Sequence, residues 1–339
     1  MATLQTIQEI KKTPSGTAFK AIVVVNSIFQ KTDKNGKPYY EISVSDDTSG
    51  IDAKIWSDAA WFDRSDINLE PSAPSVILPD TEITSVTGQT VGVEGKTSEY
   101  RGQLQFNFNK ITLLNQEKFM PSQFLPRSPL PLNDLVDRYE NLVNSCRKEL
   151  SDFLRYVYKD ELWTQFRDWP AAVSHHHAYA NGLLEHSLSV ASGAKAMAES
   201  MKISGYNIDI DIVITGALLH DLGKIASYKM KSIPEITLEG AILDHIAIGY
   251  AKFMNLAEDF GLSEELKLHL GHIILSHHGQ REFGSPVVPV TPEAMIISSA
   301  DELDFRMFCW NDSTKDLSDN QNISQWNNST GRRFWNKQI

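Results

Sequence analysis

The chain has 339 residues, 41% apolar and 22% charged, with a net charge of −11. That balance is typical of a soluble globular protein long enough for two domains. It argues against a protein that grips nucleic acid through bulk positive charge. No run approaches the roughly 18 consecutive apolar residues of a transmembrane helix. No basic-then-apolar leader opens the chain, and two distant cysteines, Cys146 and Cys309, do not make a disulfide framework. A cytoplasmic protein with no membrane partner is therefore expected.

Residues 15–115 read as β. A β-branched run at Ala18–Val25 is followed by the turn Lys34-Asn35-Gly36-Lys37, and Tyr39–Ser45 then alternates at period two. After Asp46–Gly50 the alternation resumes at Ile51–Trp56, with an intervening segment near 58–69. Thr90–Gly95 and Leu104–Ile111 bring the count to about five strands. Five short strands with one intervening segment suit a small closed barrel of the OB type, residues 1–118. Such barrels stack bases on aromatic rings and track the backbone with cations. Tyr39, Tyr40, Trp56, Tyr100, Phe106 and Phe108 are the candidate rings, with Lys37, Lys54 and Arg101 as nearby cations. Tyr39 and Tyr40 must point to opposite faces of their strand, whereas Phe106 and Phe108 share a face and read as core.

Pro121, Pro126, Pro129 and Pro131 mark 119–133 as an extended linker. From 134 to 310 the apolar spacing is helical, broken by loops at 169–181, 229–235 and 279–292. Residues 311–339, rich in Asn and Ser, read as a tail, with Trp326, Phe334 and Trp335 suggesting that it docks on the body.

All ten histidines lie between 175 and 278. His220 and Asp221 are adjacent at the end of the apolar run Ile212–Leu219. A buried carboxylate there is costly unless paired, and a divalent metal is the economical partner. Asp301 follows a second apolar run and poses the same problem; Asp304 suits an outer, supporting place. His186 and His245 each sit on an inward helical face, and His277 and His278 lie at a helix end before Gly279, whereas His269 and His272 read as outer residues. Lys224 is on the side of His220 and suits either contact with a phosphate or solvent. His186, His220, Asp221 and Asp301 suffice for one ion; His245, His277 and His278 allow a second. Imidazole and carboxylate without thiolate suit Mn²⁺, here favoured, or Fe²⁺, Co²⁺, Ni²⁺ or Zn²⁺. Such a centre activates a water and stabilises charge on a phosphoryl group. Asp221 and Lys224 are the expected catalytic pair.

The order His186, His220-Asp221-x-Gly223-Lys224, Asp301, carried on helices, resembles the HD-domain phosphohydrolases. More narrowly, His176-His177-Ala178-Tyr179, Gly182–His186, Gly240 with His245-Ile246, and Leu275–Gly279 resemble the YhaM-type 3′-to-5′ exoribonucleases. Gly36–Tyr40 and Ser45–Gly50 extend the likeness into the β region. The resemblance implies a two-domain chain, an all-β OB-fold barrel followed by an all-α HD-domain helical bundle. It implies a metal-dependent 3′-to-5′ exonuclease acting on single-stranded RNA or DNA, with His176 or His177 near the substrate and assembly into a homo-oligomer. Two other readings stay open: a phosphohydrolase of small nucleotides such as dNTPs or cyclic dinucleotides, and a non-catalytic single-strand-binding adaptor.

Overall fold

A computed structural model describes the chain apart from residues 1–3, 67–75, 79, 101–102, 126, 174–176, 231–233, 316, 318–320 and 337–339. It forms two compact units, Met1–Arg127 with Met230–Ile233, and Ser128–Lys229 with Pro234–Ile339.

The first unit opens with α1 (Ile7–Lys11), closed by a capping box between Thr6 and Glu9. Its Ile7 and Ile10 are fully buried in the β core. Five residues are too few to show a helical period, so this element is invisible in the sequence. The strands are β1 (Ala18–Thr32), β2 (Pro38–Ser45), β3 (Gly50–Arg64), β4 (Val76–Ile77), β5 (Thr90–Tyr100) and β6 (Gln103–Leu114). β1 pairs antiparallel with β2 and β5, β2 with β3, and β5 with β6; β3 and β6 run parallel. Each of these five long strands thus has a partner on both edges, the pairing circuit of an OB fold, which leaves no long open edge.

β3 corrects one expectation: the strand continues past Trp56 to Arg64. Its register against β6 shifts between Ile55 and Ala60. A bulge of this kind bends a strand without ending its pairing, and it interrupts the alternation that marks a strand in sequence.

The second unit holds α2 (Leu132–Ser145), α3 (Lys148–Val157), α4 (Asp160–Asp168), α5 (Gly182–Ile203), α6 (Ile210–Leu219), α7 (Lys224–Ser227), the strands β7 (Tyr228–Met230) and β8 (Pro234–Ile236), then α8 (Leu238–Phe260), α9 (Glu264–Ser276) and α10 (Pro292–Thr314). β7 and β8 form a short sheet where a loop was expected, and α10 runs four residues beyond the expected end at Trp310. Every residue of α6 from Ile212 to Leu219 is buried. A helix surrounded on all sides has no polar face, which is why it reads as an apolar run rather than a stripe. The chain leaves this central helix at His220 and Asp221. Among the described residues, no helix is long and apolar enough to cross a membrane.

Candidate metal centre

Asp221 lies at the middle of a buried ring of donors. Its Oδ2 is 3.2 Å from His186 Nε2 and 3.2 Å from His220 Nε2. His186 Nε2 is also 3.2 Å from Asp301 Oδ1 and 3.2 Å from His220 Nε2. The other carboxylate oxygen faces a second group: Asp221 Oδ1 is 3.5 Å from His245 Nε2 and 3.7 Å from His277 Nε2. The nearest nitrogens of His245, His277 and His278 lie within 4.8 Å of one another. Lys224 Nζ stands 2.6 Å from Asp221 Oδ2.

The five imidazoles share one arrangement. Nδ1 of His186 lies 2.8 Å from Asp304 Oδ2, that of His220 2.7 Å from Ala217 O, and that of His245 2.6 Å from Asp244 Oδ1. Nδ1 of His277 is 2.7 Å from Ile274 O, and that of His278 2.8 Å from Phe283 O. Each acceptor calls for an Nδ1–H, so wherever the ring is neutral the Nε2 carries the lone pair. Asp221 Oδ1 and the Nε2 atoms of His245 and His277 meet no hydrogen-bond partner, and Asp221 Oδ2 is paired with the Lys224 ammonium. Lone pairs pointed at one another and at a buried carboxylate repel unless a cation lies between them. Two donors about 2.1 Å from one ion, at tetrahedral or octahedral angles, stand about 3.0–3.4 Å apart. The 3.2 Å edges match that spacing, so the residues fit a divalent metal.

The electrostatics agree. Burial opposes a proton on His186, but Asp221, Asp301 and Asp304 outweigh it and hold its pKa well above the ordinary imidazole value. A proton is drawn to where a cation fits. Burial raises both carboxyls, yet Lys224 with His220 and His186 holds Asp221, and His186, His220 and His277 hold Asp301, well below the usual range. Burial, reinforced by neighbouring imidazoles, keeps His277 and His278 low, as neutral ligands need.

A cavity of about 1010 Å³ opens over this centre; Lys224, His277, His278, Asp301, Phe283 and Arg306 are among its lining residues.

Residues 183–306 match the model of the HD domain. The 3′-5′ exoribonuclease YhaM of Bacillus subtilis is 31% identical over 287 residues, 84% of this chain and 84% of that protein. The YhaM of Geobacillus sp. is 30% identical over 294 residues, 86% of this chain and 83% of its own. The chain belongs to the YhaM family of 3′-5′ exoribonucleases. It is a hydrolase, and the donors around Asp221 fit the divalent metal that its HD domain implies. The β unit is also similar to the second OB-fold domain of replication protein A from Methanococcus maripaludis, at 12% identity over 33% of this chain and 94% of that one, with a TM-score of 0.20.

In this family member, the fold gathers His186 from α5, His220 and Asp221 from the end of α6, His245 from α8, His277 and His278 from the end of α9, and Asp301 from α10. Asp301 lies within α10 rather than at a helix end. His177 is corrected. It is buried beside the centre, its Nε2 3.1 Å from Asp304 Oδ2 and its Nδ1 2.7 Å from the Tyr179 hydroxyl, and it does not line the cavity. Tyr179 in turn donates to Glu185. His177 therefore braces Asp304, which orients His186. His176 lies outside the described residues. His269 bonds Glu293 and His272 accepts from Val290 N–H, both away from Asp221.

Sequence reading missed Asp244. It breaks α8 with φ 65° and ψ 154°, a region nearly reserved for glycine and worth about 1–3 kcal/mol of strain. The break turns His245 toward Asp221 while leaving Ile242 and Leu243 exposed, against the expected inward face. No local signal marks such a kink, because the residues on both sides are ordinary helix formers.

Gly223 makes room for that kink. A Cβ there would lie 1.9 Å from His245 O and 2.6 Å from Gly249 N. Both obstacles are backbone and cannot swing aside. Gly223→Ala should cost about 3 kcal/mol, lowering Tm by roughly 10 °C. A thermal melt shifted by less than about 2 °C would show that the contact is slack.

On the β unit, Tyr39 stacks on Trp56 with centroids 5.1 Å apart, and Lys54 Nζ lies 5.7 Å from the Trp56 ring. Lys37 is exposed in the β1–β2 turn. Tyr40 is corrected: it packs edge-on against Trp61 and onto the barrel core. Trp56, also a candidate, faces outward because Ile55 faces in.

Proposed function

We propose that this protein is a metal-dependent 3′-5′ exonuclease of single-stranded RNA, with Mn²⁺ as the working ion. The observation that carries the reading is the set of 3.2 Å edges joining His186, His220, Asp221 and Asp301. These four side chains would hold one ion. Asp221 Oδ1, His245, His277 and His278 would hold a second, with Asp221 as the bridge. A divalent ion bound there supplies Lewis-acid stabilisation to a phosphoryl group and makes a water nucleophilic at neutral pH.

The chain's own residues do the rest. Lys224 is held over the centre by Asp221 and presents an ammonium to the cavity, where a non-bridging phosphate oxygen can accept from it. Asp304, braced by His177, keeps the His186 lone pair aimed inward. The Tyr39–Trp56 stack with Lys54 offers bases a platform and the backbone a cation. The named activity of the YhaM relatives supports both RNA as substrate and the 3′-to-5′ direction.

The test uses single-stranded RNA and DNA labelled at either end, incubated with Mn²⁺ beside a panel of nucleotides. Progressive loss from the 3′ end of RNA is expected. Phosphate release from nucleotides alone would overturn the reading in favour of a small-molecule phosphohydrolase. Binding without turnover would leave an adaptor.

A further inference from the structure

We propose that the C-terminal segment 322–336 forms a wall of the substrate cavity and that its Arg332 binds a phosphate of the single strand upstream of the bond that is cut. This deepens the exonuclease reading and rests on it. The segment lies beyond the residues matched by the HD model.

It is built as a hairpin. Ile323 bridges Trp335 and Asn327 bridges Arg332. The turn is closed by Asn327, whose Oδ1 accepts from both the N–H and the hydroxyl of Thr330 at 2.9 Å. Two bonds moor it to α10: Trp310 Nε1–H donates to Trp335 O at 3.1 Å, and Asn327 Nδ2 donates to Ser313 Oγ at 3.1 Å. Buried Ser324 accepts from Phe334 N–H at 2.9 Å. The hairpin is thus fixed on the helix that carries Asp301.

Its turn reaches the cavity. Asn328, Ser329, Thr330 and Arg332 line the same space as Asp301, His277 and Lys224. Of the lining cations, Lys224 is paired with Asp221 and Arg306 with Glu302. Among the described residues Arg332 makes no ion pair. Its Nε–H donates to Thr330 O at 3.2 Å, which orients the guanidinium and leaves the Nη groups for a bidentate anion contact. A volume of about 1010 Å³ is at the upper end for a site holding one drug-sized ligand, so it has room for a strand longer than the nucleotide being released. Phe283 and Phe305 add ring faces to the lining. A guanidinium on this wall meets the chemistry of a polyanion; a neutral ligand would have no use for it.

Steady-state degradation of a labelled single-stranded oligoribonucleotide tests this across a salt series. Arg332→Gln should raise KM roughly tenfold, the loss of one charged hydrogen-bonding partner, while kcat changes by less than about twofold. The dependence of log kcat/KM on log salt should become shallower by about 0.7, one phosphate contact on a single strand. Arg332→Lys should keep the slope. Asn327→Ala, which opens the turn without touching a charge, should raise KM in the same direction. Arg333→Gln is the control, since Arg333 carries the same charge one residue away and does not line the cavity. Arg332→Gln indistinguishable from Arg333→Gln in KM and salt slope would overturn the hairpin's role alone; strands left intact by the unaltered protein would overturn the exonuclease reading with it.

Discussion

Asp221→Asn should lower the rate of phosphodiester hydrolysis by about 10³-fold or more. The amide keeps the shape of the side chain and one acceptor, but it loses the negative charge that faces both groups of histidines. Stabilisation at such a centre is worth several kcal/mol, and each 1.36 kcal/mol is about tenfold in rate. The substitution also strands Lys224, buried with its ammonium 2.6 Å from the lost carboxylate. Removing one partner of a buried pair costs about 3–5 kcal/mol, whereas replacing both with apolar groups is often neutral. The metal-free single variant should therefore melt roughly 10 °C lower. Asp221→Asn with Lys224→Met should recover most of that loss and stay inactive. The paired result separates chemistry from folding. Activity within about tenfold of the unaltered protein in either variant would remove Asp221 from the reaction.

Loading with Mn²⁺ should raise Tm by about 5–10 °C, and a chelator should reverse it. At an ion concentration near 100 times Kd, mass action contributes about 2.7 kcal/mol, and a unit of this size moves by about 2–4 °C per kcal/mol. The physical source is the buried Nε2 atoms of His245 and His277 and the Asp221 Oδ1 atom, which meet no hydrogen-bond partner. The pH dependence has a definite sign. His186 is held above its ordinary pKa by three carboxylates, so in the metal-free protein it contributes stability that is lost as pH rises through its folded value. An ion takes the place of that proton. The stabilisation by Mn²⁺ should therefore grow with pH, with the apparent Kd falling about tenfold per pH unit while one proton is displaced. Calorimetric titration at several pH values reads this directly. A thermal shift that is absent, or that shrinks as pH rises, would rule out the imidazole cluster as the binding site.

The features legible in the sequence are those with a local cause. Alternation exposed the strands because one face of each is buried. The unbroken run Ile212–Leu219 announced a helix buried on all sides. His220 and Asp221 at its end could not be explained as packing, since a buried charge needs a partner. These are properties of residues and their near neighbours, and they were enough to nominate a metal centre able to act on a phosphoryl group; the exonuclease reading came from the resemblance. Tertiary structure alone decided how the donors meet. That Asp221 presents one oxygen to His186 and His220 and the other to His245 and His277 depends on residues up to 56 positions from it in the chain. The strained break at Asp244, the backbone contact that only Gly223 allows, and the bracing place of His177 are likewise set by neighbours distant in sequence. So is the place of the tail: its aromatic residues suggested that it docks on the body, but only its hydrogen bonds to α10 put its turn on the wall of the cavity. Composition reports which groups a segment can offer, and only the packed chain determines what those groups face.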